Sequence, residues 1–142
     1  MKETKFTTIK EIPTVEEYLT LRKLGSLSAK SKDGAKTGLK NSFYSVTIRD
    51  NNKLIGMGRI VGDGGTVFQV VDIVVDPAYQ GKGLGKLIVK ELVQYIREKV
   101  DEQAYVNLIA DGEAYKLYSQ FGFTDTCPKS RGMYLKRRWK IK

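Results

Sequence analysis

The feature that most constrains the fold is a glycine-rich basic loop between an apolar strand and an amphipathic helix. Residues 70–75 are almost continuously apolar, and Asp76 and Pro77 end this strand. The loop occupies residues 80–86, and apolar side chains then recur at helical spacing to about Lys99. Such an apolar strand is typically buried on both faces. The sequence therefore predicts a sheet covered by helices.

The remaining segments predict a mixed sheet with short helices. Strands are expected at residues 4–10, 43–49, 53–61, 66–75 and 104–110, with further β-prone pieces at 123–126 and 133–139. Helices are expected after Thr14, which forms a capping-box pattern with Glu17, and at residues 29–39 and 112–121. The long helix has the predicted buried stripe Leu84, Leu87, Ile88, Leu92, Tyr95 and Ile96. This order predicts an α/β or α+β domain.

Length and charge narrow the class of protein. The 142 residues fit a single domain spanning residues 1–142. The chain has 25 Lys and Arg against 16 Asp and Glu, and its net charge of +9 favours an anionic partner such as nucleic acid, an anionic surface or a phosphate-rich small molecule. No apolar run approaches the ~20 residues of a membrane helix, and no apolar signal core follows the first residues. A cytoplasmic protein without a membrane segment is expected.

Missing residue types exclude several kinds of chemistry. The chain has no histidine, which excludes Ser-His triads, Cys-His pairs and His-ligated metals. The only cysteine, Cys127, excludes an internal disulfide and a thiolate metal cluster, and is expected to be a free structural thiol. No Asp-rich loop has metal-binding spacing, so no metal site is expected. Acid–base chemistry must therefore use Asp, Glu, Tyr, Lys, Cys or water.

The glycine-rich loop has the composition of an anion cradle. Gly81, Gly83 and Gly85 alternate with other residues, so that backbone N–H groups can converge on one point. The start of the following helix adds a partial positive charge of about half a unit. Lys82 and Lys86 add full charges. These groups together suit a pyrophosphate.

Two familiar phosphate-binding patterns do not fit this loop. A Walker loop requires Gly at position 80 and Ser or Thr at position 87, where this chain has Gln80 and Leu87. A dinucleotide-binding loop requires Gly at position 86, which is Lys86. The ligand is therefore expected to contain a pyrophosphate but to differ from the nucleotides that these two patterns bind.

The loop resembles the acetyl-CoA signature of the GNAT superfamily of N-acetyltransferases, Gln/Arg-x-x-Gly-x-Gly/Ala. The matching segment is DPAYQGKGLG at residues 76–85. Residues 114–123 are similar to the Ala-x-x-x-Tyr-x-x-x-Gly-Phe segment of the same family, and residues 56–65 resemble a variant found in small bacterial members. The resemblance covers about residues 42–135, and the first 40 residues fit only loosely.

This resemblance implies a GNAT acyl-CoA N-acyltransferase fold, a twisted and mostly antiparallel sheet with helices on both faces. A split in that sheet would hold acetyl-CoA as co-substrate. The backbone of Ile73, Val74 and Val75 would bind the pantetheine arm, with one N–H group polarising the thioester carbonyl. The remaining residues implied in CoA binding are Gln80, Gly81, Lys82, Gly83, Leu84, Gly85, Lys86, Asn107 and Tyr115.

Tyr118 is implied by the resemblance as the general acid near the CoA sulfur. A phenol with a reference pKa of ~10 keeps its proton at neutral pH and can donate it to a thiolate. The alternative is an aromatic side chain on the buried side of a short helix, beside Tyr115 and Phe121.

Asp72 is the candidate general base, because it is an acidic residue within an apolar strand. It would bind the acceptor ammonium, accept its proton directly, or act through water. The alternative is a structural acceptor for backbone N–H groups or for an arginine such as Arg59. Asp111 stands where many family members have Asn, and it is either a CoA contact or an N-cap for residues 112–121.

The sequence thus predicts an N-acetyltransferase that moves the acetyl group of acetyl-CoA directly to a primary amine of a small molecule, such as an amino acid, in a ternary complex. Residues 24–28, residues 42–44, Phe68 and Asp72 are expected to line the acceptor pocket. The alternatives are acetylation of a protein amine, a non-catalytic CoA-binding module, and a nucleic-acid-binding module that uses the basic run 136–142. The family resemblance is also compatible with a homodimer.

Overall fold

The structure is a computed structural model that describes residues 6–137. Its chain divides into two compact units, Met1–Leu108 and Ile109–Lys142. The first unit contains β1 (Phe6–Lys10), α1 (Val15–Leu24), α2 (Lys32–Lys40), β2 (Tyr44–Asp50), β3 (Lys53–Gly62), β4 (Val67–Val75), a short 3-10 turn (Pro77–Tyr79), α3 (Leu84–Lys99) and β5 (Tyr105–Asn107). The second unit contains α4 (Tyr115–Ser119).

The sheet of the first unit is mixed, as the sequence predicts. Its strands lie in the order β1-β2-β3-β4-β5. Strands β1 to β4 are antiparallel to one another, and β5 pairs with β4 in parallel. The predicted fold class, a mostly antiparallel sheet within an α/β domain, is confirmed.

Helices cover both faces of this sheet. Successive side chains of β3 point to opposite faces, and each face packs against a different helix. Met57 packs with Tyr18 and Leu21 of α1 in one buried cluster. Gly58 lies on the opposite face, where an added Cβ would come within 2.7 Å of Ile88 Cγ2 and 2.9 Å of Leu92 Cδ1. A glycine at this position therefore lets α3 lie directly against β3.

The start of α1 is fixed by the predicted capping box. Thr14 Oγ1 accepts a hydrogen bond from Glu17 N at 3.2 Å, and Thr14 N donates to Glu17 Oε2 at 3.0 Å. Arg49 of β2 donates from Nη1 to Glu17 Oε1 at 2.7 Å. This guanidinium lowers the pKa of Glu17 to about 2. The same carboxylate therefore caps α1 and ties it to β2.

Several predicted elements are shorter or missing. The strand expected at residues 104–110 is limited to Tyr105–Asn107, and the helix expected at 112–121 to Tyr115–Ser119. Residues 123–126 and 133–137 form no strand in the described part of the second unit. Residues 4–5 of the first predicted strand and residues 138–139 of the last lie outside the described residues. Met133, Tyr134 and Leu135 are highly exposed. Strand propensity alone does not form a stable strand, and neither segment pairs with another strand in the described structure.

Candidate functional site

A β-bulge in β4 organises the centre of the first unit. Arg59 pairs with Val71, and Met57 pairs with Val74, so Asp72 and Ile73 together lie opposite the single residue between Met57 and Arg59. Asp72 adopts a positive φ of 59° to make this possible. Aspartate tolerates the left-handed region better than most residues, and bulges recur next to functional sites. The sequence predicts the strand but not the bulge.

One edge of β4 loses its neighbouring strand halfway along. The parallel pairing with β5 ends at Gln69 and Asn107, whose side chains are joined by a 3.1 Å hydrogen bond. No strand of the described sheet pairs with residues 70–75 on that side. The predicted pantetheine-binding residues Ile73, Val74 and Val75 lie on this stretch. The backbone groups of this stretch that point away from β3 are available to an extended ligand, except the Val75 carbonyl, which accepts a hydrogen bond from Gln80 Nε2.

The glycine-rich loop follows this free edge. Gly81 and Gly83 have φ values of +79° and +78°, which other residues adopt only with strain. Nothing lies within 4 Å of a Cβ added at either position, so the loop surface is open. Gln80 Nε2 donates to the carbonyl of Val75 at 3.4 Å, which joins the loop to the end of β4.

The start of α3 carries groups that are suited to an anion. Gly83 is its N-cap, and Leu87 N makes a helical bond to Gly83 O at 3.1 Å. The N–H groups of the first turn lack intrahelical partners and carry the positive end of the helix dipole. Lys82 and Lys86 are exposed beside them. This set of donors suits the predicted pyrophosphate.

Asp72 is held by three donors instead of facing open solvent. Tyr18 Oη and Arg59 Nε each donate to Asp72 Oδ2 at 2.8 Å. Arg22 Nη1 donates to Oδ1 and forms an ion pair with it. The ionic side chains are only 7–10% exposed. The structure therefore contains the Arg59 pairing that the sequence offers as the alternative to a catalytic base.

Tyr18 and Arg22 are members of this cluster that the sequence does not single out. Burial, followed by the hydrogen bond to Asp72, raises the pKa of Tyr18, so its phenol remains a donor at neutral pH. Arg22 also donates from Nη2 to the carbonyl of Ser28 at 2.8 Å, which anchors the segment after α1. The sequence signal that could have identified them is their spacing of four residues, which places both side chains on one face of α1.

A cavity of about 210 Å³ opens beside this cluster. Its walls include Tyr18, Lys30, Ser31, Gly34, Gly38 and Arg59. The residues predicted to line an acceptor pocket do not line this cavity. Phe68 is instead buried in the core, with its ring 5.0 Å from that of Phe43 in an edge-on contact.

The second unit contains Tyr115 and Tyr118, both on α4. Burial, with a smaller contribution from the Asp111 carboxylate, raises the pKa of Tyr118 and keeps its phenol protonated at neutral pH. Its ring contacts Phe123 edge-on at 6.2 Å. Tyr115 is 48% exposed. Asp111 is not the N-cap of this helix, since Ala114 occupies that position.

The predicted site residues thus fall into two groups. Asp72, residues 73–75, residues 80–86 and Asn107 belong to the first unit, where a bulged strand leads into the loop. Tyr115 and Tyr118 belong to the second unit.

Within residues 6–137, no group of three or more His, Cys, Asp or Glu side chains is arranged to hold a metal ion. None of the helices described there is long and apolar enough to cross a membrane.

Comparison with known proteins identifies relatives that span most of these features. The model of the acetyltransferase (GNAT) family matches residues 13–123. An uncharacterized N-acetyltransferase, ycf52, from Pyropia yezoensis is 32% identical over 103 residues, which cover 70% of this chain and 58% of that protein. A [ribosomal protein bS18]-alanine N-acetyltransferase from Haemophilus influenzae is 30% identical over 93 residues, covering 61% of this chain and 62% of that protein.

A solved structure matches most of the fold. It is a protein of unknown function from meticillin-resistant Staphylococcus aureus, described as a probable acetyltransferase. Its TM-score is 0.87 at 48% identity, and the match covers 92% of this chain and 98% of that chain. The chain spans about half the length of the first curated relatives that it matches.

Proposed function

This chain belongs to the acetyltransferase (GNAT) family, and on that premise we propose that it transfers the acetyl group of acetyl-CoA directly to a primary amine of a small molecule. The observation that carries the proposal is the free edge of β4, which leads into a glycine-rich loop at the start of α3. An extended pantetheine arm needs unpaired backbone groups, and a pyrophosphate needs clustered donors. The first unit offers both in consecutive segments.

In this proposal the loop binds the phosphates of acetyl-CoA. Gly81 and Gly83 have the positive φ values that allow backbone N–H groups to converge on an anion, and Lys82 and Lys86 add charge. Residues 73–75 bind the pantetheine arm along the free edge, and one of their N–H groups stabilises negative charge on the thioester oxygen. Gln80, Leu84, Gly85, Asn107 and Tyr115 complete the proposed CoA-binding set.

Tyr118 is proposed as the general acid. Its raised pKa keeps a proton on the phenol, which is the state required to protonate a leaving thiolate. The amine attacks the thioester carbon, the carbon–sulfur bond breaks, and the sulfur leaves with that proton. Holding amine and thioester together supplies much of the rate by proximity.

Asp72 is proposed to position the acceptor-side residues. Both of its carboxylate oxygens already accept hydrogen bonds, from Arg22, Arg59 and Tyr18. A base needs an oxygen that is open to the incoming ammonium, and these contacts favour the structural alternative. A water molecule is then the remaining proton acceptor for the amine.

A small acceptor is favoured by the size of the cavity beside Asp72. Its volume of about 210 Å³ lies below the ~300–1,000 Å³ of pockets for drug-sized ligands. Acetylation of a protein amine is the second candidate, because one relative is named for acetylating the alanine of ribosomal protein bS18. A peptide with a free N-terminus, included in the amine panel, distinguishes the two substrate classes.

The test of this proposal is thiol release from acetyl-CoA with a panel of amines, using wild type and Tyr118→Phe. Tyr118→Phe should lower kcat by about 100-fold, since it removes the proton donor, while the affinity for acetyl-CoA changes little. Tyr134→Phe is the matched control, because Tyr134 is 82% exposed in the same unit. Equal kcat for Tyr118→Phe and wild type would contradict the proposed acid. Background release from Cys127 is subtracted using samples without amine.

We propose a cytoplasmic protein, compatible with a homodimer, for which nucleic acid is not the main partner. The basic run at residues 136–142 extends beyond the described residues. Nucleic-acid binding would weaken steeply as salt rises, whereas acetyl-CoA binding through backbone groups should depend on salt less strongly.

A further inference from the structure

Two of the eight residues that line the cavity between α1, α2 and β3 are cationic. Arg59 and Lys30 both line it. Ser31 and Gly34, the N-cap and first turn of α2, form another part of the wall. Because α2 is nine residues long, its first turn adds the positive end of a helix dipole. Among the described residues no carboxylate lines the cavity, and Asp33 in the same turn is exposed to solvent.

Arg59 provides an independent indication of a ligand. The residue is only 8% exposed. Its Nε donates to Asp72, and its Nη1 donates to Gly38 O at 3.0 Å and Ser42 Oγ at 2.8 Å. Its Nη2 has no hydrogen-bond partner within residues 6–137. A nearly buried guanidinium with an unused donor beside a cavity is suited to binding an anion.

The buried charges do not balance without such an anion. Arg22 and Arg59 carry two positive charges, and Asp72 supplies one negative charge. One positive charge therefore remains in a poorly solvated cluster, and removing such a charge from water is costly unless it is paired. Lys30, which is exposed at the cavity wall, adds a further positive charge.

The cavity is also well placed for an acceptor. Tyr18 and Arg59 line it and both donate to Asp72, which immediately precedes Ile73 on β4. Ile73 begins the stretch that is proposed to hold the thioester. A ligand in the cavity is therefore connected, through Tyr18, Arg59 and Asp72, to the start of that stretch.

We propose that this cavity binds an anionic group, a carboxylate or a phosphate, on the amine that is acetylated. This inference rests on the proposed function, and it narrows the acceptor from primary amines in general to amines with a negative charge at a short distance. Arg59 binds the anion, and the positive end of α2 and Lys30 attract it to the cavity.

A kinetic experiment compares matched acceptors. The carboxylate pair is 4-aminobutyrate and 4-aminobutanamide, and the phosphate pair is 2-aminoethyl phosphate and ethanolamine. The anionic member of at least one pair should have a kcat/KM about tenfold higher, because only it makes a charge-assisted hydrogen bond with Arg59. Lys30→Gln should raise the KM of that acceptor about threefold, and Lys36→Gln, which alters an exposed lysine of α2, should leave it unchanged.

A binding experiment keeps the inference testable without turnover. Amide resonances of residues 30–34 and the Arg59 Nε resonance are followed while acetate, inorganic phosphate or neutral acetamide is added at constant ionic strength. Acetate or phosphate should give saturable shifts that weaken about threefold in Lys30→Gln. Acetamide should give none. The response to acetate against phosphate identifies the anion class.

The two experiments separate this inference from the proposed function. Thiol release with equal kcat/KM for anionic and neutral amines would overturn the anion site while leaving acetyl transfer in place. Saturable anion binding without thiol release from any amine would overturn acetyl transfer while supporting the anion site. Shifts that do not saturate, or that acetamide reproduces, would also overturn the anion site.

Discussion

At the residue scale, Asp72 joins two arginines in one buried charge cluster. Its positive φ places it in a bulge, and its carboxylate holds Arg22 of α1 and Arg59 of β3. Removing one partner of a buried ion pair leaves an uncompensated charge and strongly destabilises the fold. The cluster therefore fixes the position of α1 on the sheet. The second arginine makes the cluster cationic.

Replacing Asp72 by Asn tests this structural role. The variant keeps the size of the side chain but leaves two buried guanidinium groups without a counter-charge, so it should lower the free energy of unfolding by about 3 kcal/mol. Urea unfolding measures the change. Asp125→Asn, at an exposed residue of the second unit, should stay within about 0.5 kcal/mol of wild type. A normally stable Asp72→Asn that has lost only turnover would favour a catalytic base instead.

At the element scale, patterns that are local in sequence predicted the structure well. The capping box of Thr14 and Glu17, the glycine loop and the extent of α3 all appear where the sequence places them. The predicted stripe of α3 captured Leu84, Ile88 and Leu92 but missed Val89 and Val93, which are buried as well. That helix is in contact with β2, β3 and β4, so its buried face is wider than a single stripe.

Features that depend on distant residues were not predictable. The bulge in β4 arises from its register with β3, and neither strand alone carries a signal for it. Arg22 and Asp72 are 50 residues apart in sequence, and only the packing of α1 on the sheet brings them together. The β-prone segment at residues 133–137 lacks a partner strand in the described structure, and local propensity cannot report a missing partner.

The contact between β3 and α3 gives a prediction at the same scale. Gly58→Ala should destabilise the protein by about 1–3 kcal/mol, because the new methyl group would overlap Ile88 and Leu92. Thermal and urea unfolding measure the effect. Gly65→Ala is the matched control, since nothing lies within 4 Å of a Cβ at that position. Equal stability of the two variants would show that α3 does not lie closely against β3.

At the scale of the whole molecule, charge and topology favour the same ligand. The chain has a net charge of +9, which attracts a polyanion such as coenzyme A. In the described part of the chain, no strand pairs with the edge of β4 beyond Gln69, and the glycine-rich loop follows that strand after one short turn. The family match confirms the resemblance predicted from the loop. We propose that acetyl-CoA binds along this edge and in this loop.

The most direct test is a calorimetric titration of the full chain with acetyl-CoA, comparing wild type with Gly83→Ala. Wild type should bind at one saturable site. Gly83→Ala should bind about tenfold more weakly, because a side chain at a φ of +78° strains the loop that presents the N–H donors. Thermal unfolding of both proteins shows that the variant is folded. Absence of saturable binding by wild type, or equal affinity in a folded variant, would contradict the account.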